Sequence, residues 1–290
     1  MITNAISIDV EEYYQVTDFE GIADKLYCEP RLMKSMETVL EILDEANVRA
    51  TFFVLGSAAE KCGDLIREVS SAGHDIACHG YGHKLIYDQS RHEFKEDIHR
   101  AKHILENITG KPVFGYRAPS FSIRKDTLWA LDILTEEGFK YDSSIFPIVR
   151  KRYGIRDFSR KPVLVKCSND AEILEVPIST FKFGRLNVPF SGGGYLRFLP
   201  YKVIKYCLKY INDQEGLPGI IYLHPWELDP DQPRIKANFM REFRHYCNLK
   251  STKIKLIQLL KDFSFAPIYP KLFDKSKFMT STIRYPASSI

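Results

Sequence analysis

The pentapeptide His79-Gly80-Tyr81-Gly82-His83 sets two imidazoles four residues apart. Rings at that spacing can reach one metal ion from a single turn or a tight loop, and histidine is the commonest protein ligand for one. The two glycines argue for the loop, since each costs a helix about 1 kcal/mol relative to alanine. Ala5-Ile6-Ser7-Ile8-Asp9-Val10 reads as a short buried strand running into Glu11. Side chains two apart on a strand share a face, so Asp9 and Glu11 project together while Val10 turns the other way. Two carboxylates at the end of an apolar strand are costly unless something positive lies beside them. One can ligate a metal while the other takes a proton from water, which is the division of labour in metal-assisted hydrolysis. Spacing alone leaves open which does which, and leaves open a solvated strand end beside ordinary surface histidines.

Such groups need elements to hold them. Leu32, Met36, Val39, Leu40 and Leu43 form a helical stripe over residues 32–45. An apolar strand is expected over 49–55, then a helix from Ser57 as N-cap through residue 70. Residues 75–78 read as the strand that delivers His79, and 91–107 as an amphipathic helix. A strand over 113–116 ends at Arg117, a helix follows over 126–137, and Phe139-Lys140-Tyr141 leads to Asp142. Four rounds of β/α alternation thus put Asp9, Glu11, His79, Arg117 and Asp142 at the C-terminal ends of strands. Parallel α/β barrels carry their active sites at that edge.

The second half is less regular. Residues 150–166 are basic and broken, expected as loop, with an anionic ligand contact as the second reading. A strand is expected over 172–178, and Ser191-Gly192-Gly193-Gly194-Tyr195 as a plain turn or a close backbone approach to substrate. A helix over 202–211 precedes a buried strand over 219–223, which delivers His224 ahead of Pro225-Trp226-Glu227. Helices over 234–248 and 252–261 close a catalytic domain of residues 1–265, leaving 266–290 as a C-terminal tail. His74, His92, His99 and His103 fall outside these motifs and read as surface or helix-face residues.

Composition narrows the class. The chain has 290 residues, 44% hydrophobic and 27% charged, which is ordinary globular usage. A formal net charge of +4 is too mild to imply nucleic acid. Six widely spaced cysteines with no Cys-x-x-Cys pair argue against a zinc ribbon and a disulfide framework. With no apolar run long enough to cross a bilayer and no leader pattern, a cytoplasmic protein is expected, with peripheral contact at the membrane face left open.

Taken in order, these segments resemble the polysaccharide deacetylases, metal-dependent carbohydrate esterases with a chitooligosaccharide-deacetylase homology domain. The resemblance rests on Asp9-Val10-Glu11, His79 to His83, Arg117-Ala118-Pro119-Ser120-Phe121, Asp142-Ser143-Ser144 and Leu223-His224. Residues 191–200 and 223–230 are similar to a bacterial branch linked to exopolysaccharide and exosortase gene clusters. The resemblance implies an α/β fold, a distorted (β/α) barrel with fewer than eight regular units. It implies removal of N-acetyl groups from an amino-sugar glycan or a lipid-linked precursor of one. Glu11, His79 and His83 would hold a divalent metal, zinc first, with cobalt, nickel or manganese as alternatives. Asp9 would be the base, steadied by Arg117, and His224 the acid, oriented by Asp142. The Ser120 N–H would serve an oxyanion, while Phe121, Tyr195, Leu223 and Trp226 would line the substrate site. Two departures stand out. Val10 occupies the usual place of a second aspartate, which moves the metal role to Glu11, and Phe121 lies one residue beyond the family's aromatic. The alternatives are a same-fold amidohydrolase acting on a small non-glycan amide, and a non-catalytic glycan-binding or assembly protein.

Overall fold

The computed structural model describes residues 2–17, 19, 21–22, 28–148, 150, 152–269 and 282–284. Strand β1 (Thr3–Val10) alternates as its sequence predicts. Ile6, Ile8 and Val10 join the larger apolar core with the helices, whereas Ala5 joins a second core with Phe53, Ala77 and Tyr141. Ser7, Asp9 and Glu11 therefore share the face of Ala5, the inner face of the sheet.

Around β1 the chain lays down β2 (Thr51–Val54), β3 (Asp75–Cys78), β4 (Gly115–Tyr116) and β5 (Tyr141–Asp142), each parallel to the last. Helices α1 (Leu32–Glu45), α2 (Gly56–Lys61), α3 (Gly63–Ser71), α4 (Arg91–Thr109) and α5 (Trp129–Glu136) connect them. The second half adds β6 (Val163–Lys166) and β7 (Glu172–Glu175), and the two-stranded β8 (Thr180–Phe183) and β9 (Leu186–Pro189). It continues through α6 (Gly194–Phe198), α7 (Tyr201–Glu215), β10 (Ile220–Leu223), α8 (Phe239–Tyr246), α9 (Leu249–Asp262), β11 (Ser264–Ala266) and β12 (Thr282–Arg284). The main sheet runs β10-β1-β2-β3-β4-β5-β7-β6-β12, with β11 also on β1. All its pairs are parallel except β6 with β7. The result is a curled half-barrel with helices packed outside.

Local chemistry accounts for several boundaries. Both Glu12 carboxylate oxygens accept from the Arg31 N–H, and one also from Leu32, so a side chain from the end of β1 caps α1. Ser90 and Glu93 form a reciprocal capping box that starts α4, and Gly110 in the left-handed region stops it. Gly115 lies so close to Tyr141 that an added Cβ would sit 2.1 Å from the ring.

Some expectations need correcting. The single helix from Ser57 starts at Gly56 and breaks at Cys62 into α2 and α3. The stretch read as basic loop ends in β6, because Val163, Leu164 and Val165 pair with β7 and are buried. The helix over 234–248 shortens to α8, capped by Asn238. The edge of the tail falls inside β11, Ile268 is buried with its N–H donating to Thr51 Oγ1 at 2.8 Å, and 282–284 pair with β6. Residues 270–281 and 285–290 of that tail lie outside the described residues. The Ser191–Gly194 turn runs against β10. Tyr222 N–H donates to the Ser191 carbonyl at 3.0 Å, and Gly193 N–H to the Tyr222 carbonyl at 3.2 Å.

Candidate active site and metal centre

Parallel strands share one C-terminal edge, and the polar groups gather there. The loop after β3 is pinned on several sides. His79 N–H donates to the Val54 carbonyl, Gly56 N–H to Gly80 and Ser57 N–H to Tyr81. The Asp97 carboxylate accepts from Tyr81 N–H at 2.7 Å. Gly80 has φ +77°, and a Cβ there would meet Asp97 Oδ2 at 2.9 Å, so this turn needs glycine. His83 also lies in the left-handed region, at φ 59°, which turns its ring back toward His79.

Ligand atoms of Glu11, His79 and His83 all fall within 4.8 Å of one another. His79 Nδ1 lies 2.7 Å from the Arg117 carbonyl, a contact that assigns the proton to Nδ1 and leaves Nε2 bare for a ligand. His83 Nε2 lies 2.8 Å from Glu11 Oε2. A carboxylate and two imidazoles converging in this way fit a divalent ion. Burial favours neutral Glu11, yet the charges of His83 and His224 outweigh it and draw the carboxyl down to about 2. Burial pushes His79 down to about 4, against the pull of Asp9, so it stands neutral as a ligand must.

Asp9 is held from behind. Arg117, fully buried, places NH1 2.6 Å from Asp9 Oδ1 and 2.9 Å from Ser7 Oγ. Its other nitrogens reach the Ser143 carbonyl at 3.1 Å and Ser143 Oγ at 2.9 Å, and its carbon lies 4.0 Å over the Phe53 ring. A buried charge satisfied on every side is rigid, and removing one partner of such a pair costs about 3–5 kcal/mol.

His224 closes the site from β10, with Nε2 3.5 Å from Glu11 Oε1 and 4.0 Å from Asp9 Oδ2. Its Nδ1 lies 3.1 Å from Glu227 Oε2, and Glu227 pairs in turn with Arg197 at 2.7 Å. Burial disfavours the imidazolium, but Glu11, Glu227 and Asp9 together raise His224 to about 9. The expected Asp142–His224 contact is replaced by this Glu227 contact. Asp142 instead accepts from Ser144 Oγ at 2.5 Å and sits in register with Glu175 on β7. Burial raises both carboxyls, and the charge of Asp142 drives Glu175 further up, so the pair keeps a proton. Ser144 Oγ also accepts from Ala118 N–H at 2.7 Å, so the pair braces the loop that carries Arg117 and Ser120.

A cleft with about 340 Å³ of room opens over these groups, lined in part by Ser120, Phe121, Tyr195 and Trp226. Ser120 and Phe121 adopt φ of 51° and 55°, a costly conformation for non-glycine residues that concentrates at functional loops. Leu223 does not line the cleft; its side chain points into the apolar core from β10. Trp226 stacks between neighbours, 5.2 Å from the His224 ring and 4.2 Å from that of His245. His245, Arg197 and Glu227 escaped the sequence reading. Glu227 had a signal, the Pro-led turn with an acid three residues after His224, which is capping-box spacing. His74 is buried rather than exposed, its Nδ1 accepting from Ala50 N–H at 3.1 Å.

Residues 27–140 match the polysaccharide deacetylase family, and residues 143–272 match a domain of unknown function, DUF3473. A peptidoglycan-N-acetylglucosamine deacetylase of Bacillus cereus is 32% identical over 102 residues, covering 35% of this chain and 36% of its own. A chitooligosaccharide deacetylase of Azorhizobium caulinodans is 35% identical over 82 residues, covering 28% and 39%. The matched stretch thus spans little more than a third of these relatives. Among solved structures, a Mycobacterium smegmatis protein assigned to the polysaccharide deacetylases superposes with a TM-score of 0.63 at 23% identity, covering 98% of this chain and 94% of its own. The allantoinase PuuE superposes at 0.56 and 16% identity, covering 91% and 86%, a likeness of fold. With one match ending just before β5 and the other supplying β7 and β10 to the same sheet, the chain carries a polysaccharide deacetylase domain over residues 27–140, continued by a DUF3473 domain.

Proposed function

We propose that this protein is a metal-dependent hydrolase that removes N-acetyl groups from an amino-sugar glycan or a glycan precursor, releasing acetate. The observation that carries the reading is the convergence of Glu11, His79 and His83 within 4.8 Å, beside a carboxylate locked by Arg117 and across from His224. The names of the Bacillus and Azorhizobium relatives support amino-sugar substrates. A divalent ion held by Glu11, His79 and His83, zinc first with cobalt, nickel or manganese as alternatives, would supply Lewis acidity toward the acetyl carbonyl and the attacking water.

The side chains supply the rest. Asp9, aimed by Arg117, takes a proton from the water as its oxygen bonds to the carbonyl carbon. The Ser120 N–H is the donor toward the oxygen on which negative charge builds. The C–N bond then breaks as His224 delivers its Nε2 proton to the leaving amine, and acetate is the second product. Glu227 and Trp226 hold the His224 ring in place. Because Trp226 is engaged by two imidazoles, Tyr195 is the better placed of the two to meet a sugar face.

Acetate release from a panel of N-acetylated oligosaccharides, lipid-linked N-acetyl sugars and small amides tests the reading. Release from the sugars and none from the small amides supports it. Turnover of the small amides alone replaces it with the same-fold amidohydrolase.

A further inference from the structure

Helix α8 leaves large apolar side chains in water. Phe239 is 78% exposed, Met240 60% and Phe243 48%. Phe239 stacks on Phe243 at 6.1 Å, and Phe243 on the half-exposed Phe198 of α6 at 5.8 Å, so the rings form one continuous ridge. Phe198 and Arg244 also line the cleft, which places this ridge at its rim.

The charge around the ridge is one-sided. Residues 233–253 hold Arg234, Lys236, Arg241, Arg244, Lys250 and Lys253 against a single acid, Glu242. Glu242 is itself taken up by the Ala237 N–H at 2.8 Å. This short segment therefore carries more net positive charge than the whole chain, whose balance is +4. Aromatic and methionine side chains flanked by bases on a protruding helix are the chemistry of an in-plane contact with an anionic bilayer. A second copy of the chain is disfavoured as occupant, since a two-fold contact would set this charge against itself. An acidic soluble partner would satisfy the bases but leave Phe239 and Met240 without an apolar medium.

We infer that α8 and Phe198 form a membrane-docking surface that seats the mouth of the cleft on an anionic phospholipid layer. Docking would present the active-site cleft to substrate held at the headgroup level.

The test is sedimentation of the full chain with vesicles of phosphatidylcholine alone or mixed with phosphatidylglycerol. Binding should require the anionic lipid and weaken as salt rises. Phe239→Ser with Met240→Ser, and separately Lys236→Glu with Arg241→Glu, should each weaken it about tenfold or more. These side chains lie outside the cleft lining, so turnover of a soluble substrate should be unchanged in both variants. Phe183→Ser with Leu186→Ser, which alters an exposed apolar tip elsewhere in the fold (70% and 56% exposed), should bind as the parent does. Absence of binding to the anionic vesicles overturns the inference, as does binding that survives both α8 variants or that the β8–β9 variant removes. A concentration-dependent dimer abolished by Phe239→Ser with Met240→Ser would give the face to a second copy instead. Asp9→Asn protein should bind vesicles normally, so loss of docking and loss of deacetylation are read separately.

Discussion

Asp9 and Glu11 are two residues apart on one strand face, yet their surroundings give them different work. Glu11 meets His83 and His224, while Asp9 meets Arg117. Asp9→Asn should keep bound metal and cut acetate release by roughly 10²-fold or more, the usual contribution of a general base. Glu11→Gln, His79→Ala and His83→Ala should each lower metal content in elemental analysis, since each removes one of three protein ligands. Full occupancy in the histidine variants would overturn the ligand set, and exchanged phenotypes would make Asp9 the ligand. His224 is the other side of the chemistry. Its acid form is raised to about 9 by three carboxylates acting against burial, so it is protonated at neutral pH. The same shift stabilises the fold fully below about pH 6.5 and is lost as pH rises through about 9. His224→Ala should slow amide cleavage severely while sparing an aryl acetate, whose leaving group needs no proton. Glu227→Gln should move the alkaline limb of the amide pH–rate profile to lower pH, because one of those carboxylates is gone. An unmoved limb would make Glu227 a packing residue only.

At the scale of elements, the junction of β2 and β3 carries an acid–base pair with no part in the reaction. His74 Nδ1 must be bare to accept the Ala50 N–H, and burial holds the ring down to about 4. Between pH 4 and 6.5 the unfolded chain takes up a proton that the folded one refuses, so His74 makes stability fall as pH falls through that window. Asp75, next in sequence, accepts from Thr51 Oγ1 and Tyr141 O–H, and burial raises it to about 6. Its effect runs the other way, with stability falling as pH rises from about 3.8 to about 6. The two nearly cancel in the parent. His74→Gln should expose the Asp75 slope. The parent–variant difference in unfolding free energy should change by roughly 3 kcal/mol between pH 4 and 6.5 in urea titrations. A difference that is flat with pH would mean that His74 is already neutral in the unfolded chain or still protonated in the folded one.

On the scale of the whole molecule, the two family matches divide the sequence but not the sheet. Strand β1, which carries Asp9, is flanked by β2 from the first match and β10 from the second. A chain ending at residue 142 would strip β1 of β10 and β11, leave Asp142 without Glu175 and lose His224. That fragment should show no cooperative unfolding transition by circular dichroism, and a cooperative one would mean that the first segment folds by itself. No helix among the described residues is long and apolar enough to cross a membrane.

The sequence by itself determined the parallel α/β alternation and the edge at which the chemistry gathers. Period and spacing are local properties, and a polar residue at the end of an apolar run has few other places to go. It also determined that Asp9 and Glu11 share a face, because a strand alternates whatever surrounds it. Only the tertiary structure decided the partners. Glu227 rather than Asp142 supports His224, because Asp142 is drawn to Ser144 and Glu175 on the strand beside it. Arg197 and His245 reach the site from α6 and α8, and no spacing rule connects either to His224. The exposed ridge of α8 was hidden for the same reason. An amphipathic helix reads alike whether its apolar face is covered by the core or left to meet a surface, and which of these holds depends on where the neighbouring chain runs.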